Sequence, residues 1–270
     1  MTSIDSSTGA YASVDGLEAS LGDGVLSLTL NRPDSLNSLT ATMLNGIADA
    51  LDRAATDPQV KVVRLAGAGR GFSSGAGISA DDQAKKAGGL TVLDAANRAI
   101  RSIVALPRPV VAVVQGPAAG VGASLALACD VVLASDKGYF MLAFTKIGLM
   151  PDGGASALVA AAVGRIRAMR MALLAEKIHA DEAFRAGLVT AVYPAAELDA
   201  AVDTTIATLV RGPVVALAKT KDAINATTLT ELDAALEREH SGQAALLRGT
   251  DYREGIKAFQ ERRPATFTDS

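Results

Sequence analysis

Hydrophobic and polar positions alternate with period two through Val25-Leu26-Ser27-Leu28-Thr29-Leu30, which predicts a half-buried strand, with Tyr11–Ala19 as its hairpin partner across Leu21-Gly22-Asp23-Gly24. The period then changes. Behind Thr40, a good helix cap, the apolar residues Met43, Leu44, Ile47, Leu51 and Ala54 recur every three to four positions, and Asp57-Pro58 ends the helix they define. A strand is predicted over Lys61–Ala66 and a second amphipathic helix through Leu93, Ala96, Ile100, Ile103 and Val104, stopped by Pro107 and Pro109. Val110–Val114 is a β-branched run too short for a buried helix and reads as a core strand. Ala119–Ala128 follows as a small-residue helix, and Asp130–Leu133 as another strand. Strand alternating with helix marks the α/β class. Beyond Gly154 the pattern predicts helices alone, over Ala155–Val163, Arg165–Ala175, Ala180–Ala186, Ala195–Arg211, Val214–Ala226, Leu229–Leu247 and Asp251–Arg262. That switch sets a boundary between Tyr193 and Leu198, giving a disordered leader over 1–10, a core over 11–195 and a helical region over 196–270.

Composition narrows the partners. A chain of 270 residues that is 49% hydrophobic and 20% charged can bury a sizeable core, and a net charge of −3 without a long basic run argues against a nucleic-acid surface. Cys129, the single cysteine, sits in LALACDVVLA as a buried thiol. Only His179 and His240 could anchor a metal, and no carboxylates accompany them at ligand spacing, so no metal is expected. The first ten residues lack the basic start and apolar core of a signal peptide. Val110 to Cys129 is uncharged over 20 residues, but Gln115-Gly116-Pro117 divides it into pieces too short to span a bilayer. A soluble cytoplasmic protein is expected, with no membrane partner.

Two glycine-rich turns carry the candidate chemistry. One runs from Gly67 to Gly77 after the strand at Lys61–Ala66; the other, Gly120-Val121-Gly122, opens the helix after Val110–Val114. Bare backbone N–H groups at two converging turns are what an oxyanion hole requires. Gly71-Phe72-Ser73-Ser74-Gly75 also fits the G-x-S-x-G pattern of a nucleophile elbow, but a glycine-rich loop follows where an elbow needs a packed helix. Gly67-Ala68-Gly69 lacks the third glycine of a dinucleotide fingerprint.

Asn31-Arg32-Pro33 with Leu36-Asn37, Gly71 to Ala76, Gln115-Gly116 through Cys129-Asp130, and Gly148-Leu149-Met150-Pro151-Asp152-Gly153-Gly154, in that order, resemble the crotonase (enoyl-CoA hydratase/isomerase) superfamily over residues 11 to 267. The resemblance implies a spiral of strand–strand–helix units with a C-terminal helical region used in trimerisation. It also implies an acyl-CoA substrate whose thioester oxygen is held by the N–H groups of Ala76 and Val121. No cofactor beyond the coenzyme A of the substrate is implied. Ser74, Gly75, Ile78, Gly120 and Phe144 match segments around the acyl-thioester. Arg32, Lys257 and Phe259 match segments lining the coenzyme A groove, and the last helix of the family can complete a neighbouring subunit's site. A homotrimer or dimer of trimers is expected.

The departures from the family pattern are as informative as the matches. Gly77 stands where many relatives carry an Asp that supports the loop. The two glutamates with which hydratases activate water correspond here to Ser124 and Phe144, neither of which can act as a carboxylate base. Asp152 remains, at the point where phenylacetate-pathway isomerases and some dienoyl-CoA isomerases carry their working acid. Its other reading is the N-cap of the helix that follows. The resulting expectation is an enoyl-CoA isomerase with Asp152 as base and the polar stretch Ser79–Gly89, with Asp81 and Asp82, as a lid. The alternatives are a hydratase with non-standard acid and base groups, or a degenerate acyl-CoA-binding subunit.

Overall fold

The computed structural model describes residues 11–78 and 89–268. The expected leader over 1–10, and the segment 79–88 with Asp81 and Asp82, lie outside the described residues. Strand β1 (Leu17–Gly22) pairs antiparallel with β2 (Val25–Leu30), Gly22 opposite Val25. Only Asp23 and Gly24 form the turn, at φ 51° and 83°. The expected hairpin therefore shifts: an Asp-Gly pair that adopts left-handed φ at both positions closes a two-residue loop, so the partner strand reaches Gly22 rather than ending at Ala19.

Helix α1 (Ala41–Ala54) is capped as expected, Thr40 Oγ1 accepting the N–H of Met43 at 3.2 Å, and its predicted apolar stripe is fully buried. Strand β3 (Val62–Gly67) lies parallel to β2 and is followed by helix α2 (Gly89–Ala105), which packs on α1. Strand β4 (Val110–Val114) is parallel to β3 and buried throughout. Helix α3 (Val121–Leu127) starts two residues later than expected, because Pro117–Ala119 pair as strand β5 of a second sheet. The uncharged run from Val110 to Cys129 thus contains a core strand, a turn, a short strand and a short helix. Among the described residues no single helix is long and apolar enough to cross a membrane.

Strand β6 (Val131–Ser135) pairs with β4, and β7 (Tyr139–Met141) with β5. Helix α4 (Ala155–Leu174) is broken at Gly164 (φ 76°, ψ 162°), where the sequence predicted two helices. Three-residue and two-residue strands interrupt the region expected to be purely helical: β8 (Ile178–His179) joins β7 and, after α5 (Ala180–Ala186), β9 (Ala191–Tyr193) joins β6. Helices α6 (Leu198–Val210), α7 (Val214–Thr228), α8 (Leu232–Leu246) and α9 (Thr250–Gln260) complete the chain.

The main sheet runs β1-β2-β3-β4-β6-β9, parallel except for β1, beside the three-stranded sheet β5-β7-β8. Alternate residues of its strands feed two layers. Val63, Leu65, Val110, Ala112 and Val114 join the large core with α1 and α2, whereas Val62, Ala66, Val111, Val113 and Leu133 meet Leu198, Val202 and Ile206 of α6 on the other face. Because β3 and β4 are parallel neighbours, with Ala66 opposite Val113, the turns that leave them emerge side by side at one edge. Ligand sites of open α/β sheets lie at this carboxyl edge.

Candidate active site

The glycine-rich turn after β3 is held by side-chain amides rather than by regular structure. Asn37, buried and itself at φ 55°, donates from Nδ2 to the carbonyls of Ala68, Gly71 and Phe72, while Gln115 Nε2 donates to Gly67 and Gly71 at 2.6 and 2.8 Å. The turn is then stitched to the second one. Ser73 N–H donates to Pro117 O, and Ala119 N–H donates to Ser73 O, a parallel bridge between Ser73 and Ala118. A Cβ placed on Gly75 (φ 90°) would lie 2.7 Å from Ala119 O and 3.4 Å from Gly120 Cα, so only glycine permits this approach.

These contacts aim two N–H groups. Leu39 forms a parallel bridge with Ala76 through Leu39 N–H to Gly75 O and Gly77 N–H to Leu39 O. In that arrangement the flanking residues make the bonds, and the N–H of Ala76 points away from Leu39. Val121 is the first residue of α3, so its N–H has no partner within the helix. The two predicted donors therefore sit on adjoining turns. Phe144, on the 3-10 turn Ala143–Ile147, brings its ring tip to the same place: a Cβ on Gly120 would lie 3.9 Å from Phe144 Cζ.

Asp152 belongs to the next layer of this site. Ser124, buried on α3, donates from Oγ to Asp152 O at 2.8 Å, and a Cβ on Gly153 would lie 3.2 Å from Val121 Cγ2. The helix-cap reading of Asp152 does not hold in the structure. Gly153 and Gly154 both turn with positive φ, so α4 begins three residues beyond Asp152 and its cap position is Gly154. The free N–H groups of α4 are taken by Glu239 of α8, which accepts from Gly154 N at 2.7 Å, Ser156 N at 2.9 Å and Ser156 Oγ. The Asp152 carboxylate accepts instead from Gln243 Nε2, at 2.7 Å on Oδ2. Its other oxygen, Oδ1, is closed off from solvent and without a hydrogen-bond partner, as are Asn97 Oδ1 and Gln115 Oε1 among the described residues.

Burial is the largest influence on the Asp152 carboxyl, raising its pKa to about 7; Gln243 pulls it down and the charge of Glu239 pushes it up. The residue as a whole is half-buried, but its Oδ1 is sealed from solvent. The charge that raises its pKa comes from a group the sequence did not indicate, the second carboxylate at Glu239. Glu239 is itself pushed up by burial, against the lowering effect of the bonds from Ser156 and Gly154.

The groove residues are spread around this centre. Arg32 Nη1 donates to Ser38 O and Ser38 Oγ, both at 2.8 Å, which gives the guanidinium a job in its own loop. Ser74 is exposed and donates to Ser35 O. Lys257 and Phe259 are exposed on α9. That helix packs against the Phe144 turn of its own chain, where a Cβ on Gly255 would lie 2.5 Å from Ile147 Cα, and Gln260 Nε2 donates to Ile78 O at 3.2 Å.

Other chemistry fails on geometry. Ser73 Oγ is buried, donates to Asn37 O and accepts from Gly75 N–H; the two histidines lie elsewhere, His179 exposed and His240 against Asp94 at 3.0 Å, so a nucleophile elbow is not assembled. Burial pushes the Cys129 thiol up, as befits a structural thiol. No cluster of three or more His, Cys, Asp or Glu suited to a metal occurs among the described residues.

Two adjoining N–H donors at a sheet edge, with the Asp152 carboxyl in the layer behind them, form an arrangement that can stabilise an oxyanion and exchange a proton. The enoyl-CoA hydratase/isomerase family model matches residues 20–270, and the chain belongs to that family. A protein of Rhodobacter capsulatus named "Probable enoyl-CoA hydratase" is 41% identical over 249 residues, covering 92% of this chain and 96% of its own. The 1,2-epoxyphenylacetyl-CoA isomerase of Escherichia coli is 37% identical over 250 residues, covering 91% of this chain and 95% of its own. The crystal structure of an enoyl-CoA hydratase from Mycobacterium avium subsp. paratuberculosis superposes with a TM-score of 0.89 at 66% identity, covering 96% of this chain and 100% of that one. The expected crotonase-like α/β fold and an enzyme of the hydratase/isomerase type follow.

Proposed function

We propose that this protein is an enoyl-CoA isomerase that transfers a proton between C2 and C4 of a 3-enoyl-CoA, with Asp152 as its single base. Asp152 removes the C2 proton, the C2–H electron pair enters a dienolate, and the negative charge gathers on the thioester oxygen between the N–H groups of Ala76 and Val121. The protonated Asp152 then returns its proton to C4, leaving a conjugated 2-enoyl-CoA. No water is consumed and no cofactor takes part.

The observation that carries this reading is the state of Asp152. It is relieved of helix capping by Glu239, is bound on one oxygen only, and has its pKa raised to about 7, where charged and protonated forms are both accessible. Ser124 and Phe144 support it from the other side. At the two positions expected to hold water-activating carboxylates there is a hydroxyl that bonds to Asp152 O and an aromatic ring beside Gly120. The relatives bear both hydratase and isomerase names, so site chemistry decides between them.

The test pairs two assays. Purified protein should convert 3-hexenoyl-CoA to its 2-enoyl isomer, while hydration of crotonyl-CoA should run roughly 10²- to 10⁴-fold below the rate of a hydratase that keeps both glutamates, the loss usual when an acid–base partner is missing. Rapid formation of 3-hydroxybutyryl-CoA would reverse the assignment. Binding of both thioesters without turnover would favour the degenerate subunit.

The coenzyme A moiety lies against backbone of Ser74 to Ile78 and Gly120-Val121, with Arg32, Lys257 and Phe259 at the groove. The working assembly is a homotrimer or a dimer of trimers. Beyond the Gly164 break, Ile166 (77% exposed), Met169 and Leu173 (66% exposed) project from one face of α4, an apolar stripe suited to a neighbouring copy. Light scattering at micromolar concentration should give at least three times the chain mass, and Ile166→Asp with Leu173→Asp should reduce it. A monomeric wild-type mass would contradict this assembly.

A further inference from the structure

The polar pair on α8 reaches the site from far along the chain. Gln243 is 1% exposed and bridges two points of the Asp152 loop: its Oε1 accepts the N–H of Met150 at 3.1 Å, and its Nε2 donates to Asp152 Oδ2 at 2.7 Å. The first bond fixes the second. A backbone N–H can only donate, so the Met150 contact sets the amide with its oxygen toward Met150 and its NH₂ toward Asp152. Gln243 therefore presents Asp152 with a donor, and Oδ2 can serve only as an acceptor there. The other oxygen, Oδ1, has no partner, and a buried carboxylate oxygen left without one calls for an explanation.

We propose that Gln243 is a positioning residue that commits Oδ2 of Asp152 as an acceptor and leaves Oδ1 as the one oxygen that takes and returns the substrate proton. This rests on the isomerase reading above. In the first half-reaction the C2–H bond breaks and an Oδ1–H bond forms; in the second, Oδ1–H breaks and C4–H forms, with the dienolate electron pair supplying the new bond. One oxygen used twice keeps the proton on one side of the acyl chain, whereas a carboxylate free to rotate would lose that alignment.

Burial sets the titration of the Asp152 carboxyl most, and two side chains, Glu239 and Gln243, modify it. Glu239, one turn before Gln243 on α8, raises it by charge; Arg238 acts on Glu239 in turn; from α3, Ser124 contributes a hydroxyl that engages the Asp152 backbone oxygen. Gln243 opposes Glu239, because its donor stabilises the charged form of Asp152.

The experiment compares wild type, Gln243→Leu and Gln243→Glu in isomerisation of 3-hexenoyl-CoA across pH, with the Asp152 carboxyl followed by ¹³C NMR in the same proteins. Gln243→Leu should lower kcat by about 10-fold or more, the size of a hydrogen bond to a charged group, with KM changed little. Its acid limb and the Asp152 midpoint should both move upward. Gln243→Glu preserves length and the Met150 contact but faces Oδ2 with a second carboxyl, and should move both further in the same direction, so the inference stays testable should the leucine variant fail to fold. Unmoved midpoints and an unmoved acid limb in a folded variant would overturn it. The underlying reading fails separately: if Asp152→Asn retains isomerisation, Asp152 is not the base, whereas an inactive Asp152→Asn beside an unaffected Gln243→Leu removes only the role given to Gln243.

Discussion

Asp152→Asn is expected to lose at least about 10² in kcat for 3-enoyl-CoA isomerisation, because an amide keeps the shape and the Gln243 contact but cannot accept the C2 proton. The same variant should change how stability depends on pH. An unfolded carboxyl titrates near its ordinary value of 3.8 and the folded Asp152 at about 7, so between those values the folded protein holds a proton that the unfolded chain has released. Stability therefore falls as pH rises through that window, and the unfavourable contribution is fully present above it. Asparagine never takes the charge. Relative to wild type, the variant should gain roughly 1–3 kcal/mol on going from pH 4.5 to pH 8, measured by urea unfolding. Retained activity together with an equal loss of stability at both pH values would mark Asp152 as structural.

Gly75→Ala should cost about as much by a different route. The methyl group would sit 2.7 Å from Ala119 O, on a residue at φ 90°, and could be accommodated only by parting the two turns that carry Ala76 and Val121. Displacing one preorganised donor typically costs about 10²–10³ in kcat, and the strained backbone about 1–3 kcal/mol of stability. Gly22→Ala, where nothing lies within 4 Å of the new methyl, is the control and should leave kcat unaltered. A folded Gly75→Ala protein with unchanged kcat would mean the oxyanion is held elsewhere.

Strong periodicity made much of this fold legible. Val25–Leu30 and Val110–Val114 are strands over the residues their patterns predicted, and Thr40 caps the helix expected behind it. Strands β5, β7, β8 and β9 have at most three residues, too few to display a period, and are defined by the partners they pair with. The start of α3 was misjudged for the same reason: alanine and proline at 117–119 suit a helix start locally, but pairing with Tyr139–Met141 claims them.

The site divides similarly. The two glycine turns, with the family resemblance, pointed to Ala76 and Val121, and the absence of side-chain carboxylates at 124 and 144 pointed to Asp152. Gln243 and Glu239 were not found, because they reach the Asp152 loop across more than eighty positions. A trace of them was present. Leu232, Leu236, Glu239 and Gln243 follow one helical stripe, so two polar residues occupy positions that helix periodicity assigns to the interior. Buried polar residues on such a stripe need partners, and here the partners are the start of α4 and the Asp152 carboxylate.

The central claim is that one enclosed carboxyl carries a proton from C2 to C4. It is tested most directly by giving the enzyme 3-hexenoyl-CoA deuterated at C2, in ordinary water, and locating the label in the 2-hexenoyl-CoA product by NMR. A base shielded from solvent at Oδ1 should deliver part of the deuterium to C4, with no 3-hydroxyacyl-CoA formed and no transfer in Asp152→Asn. Label wholly absent from C4, with the product hydrated at C3, would contradict the account.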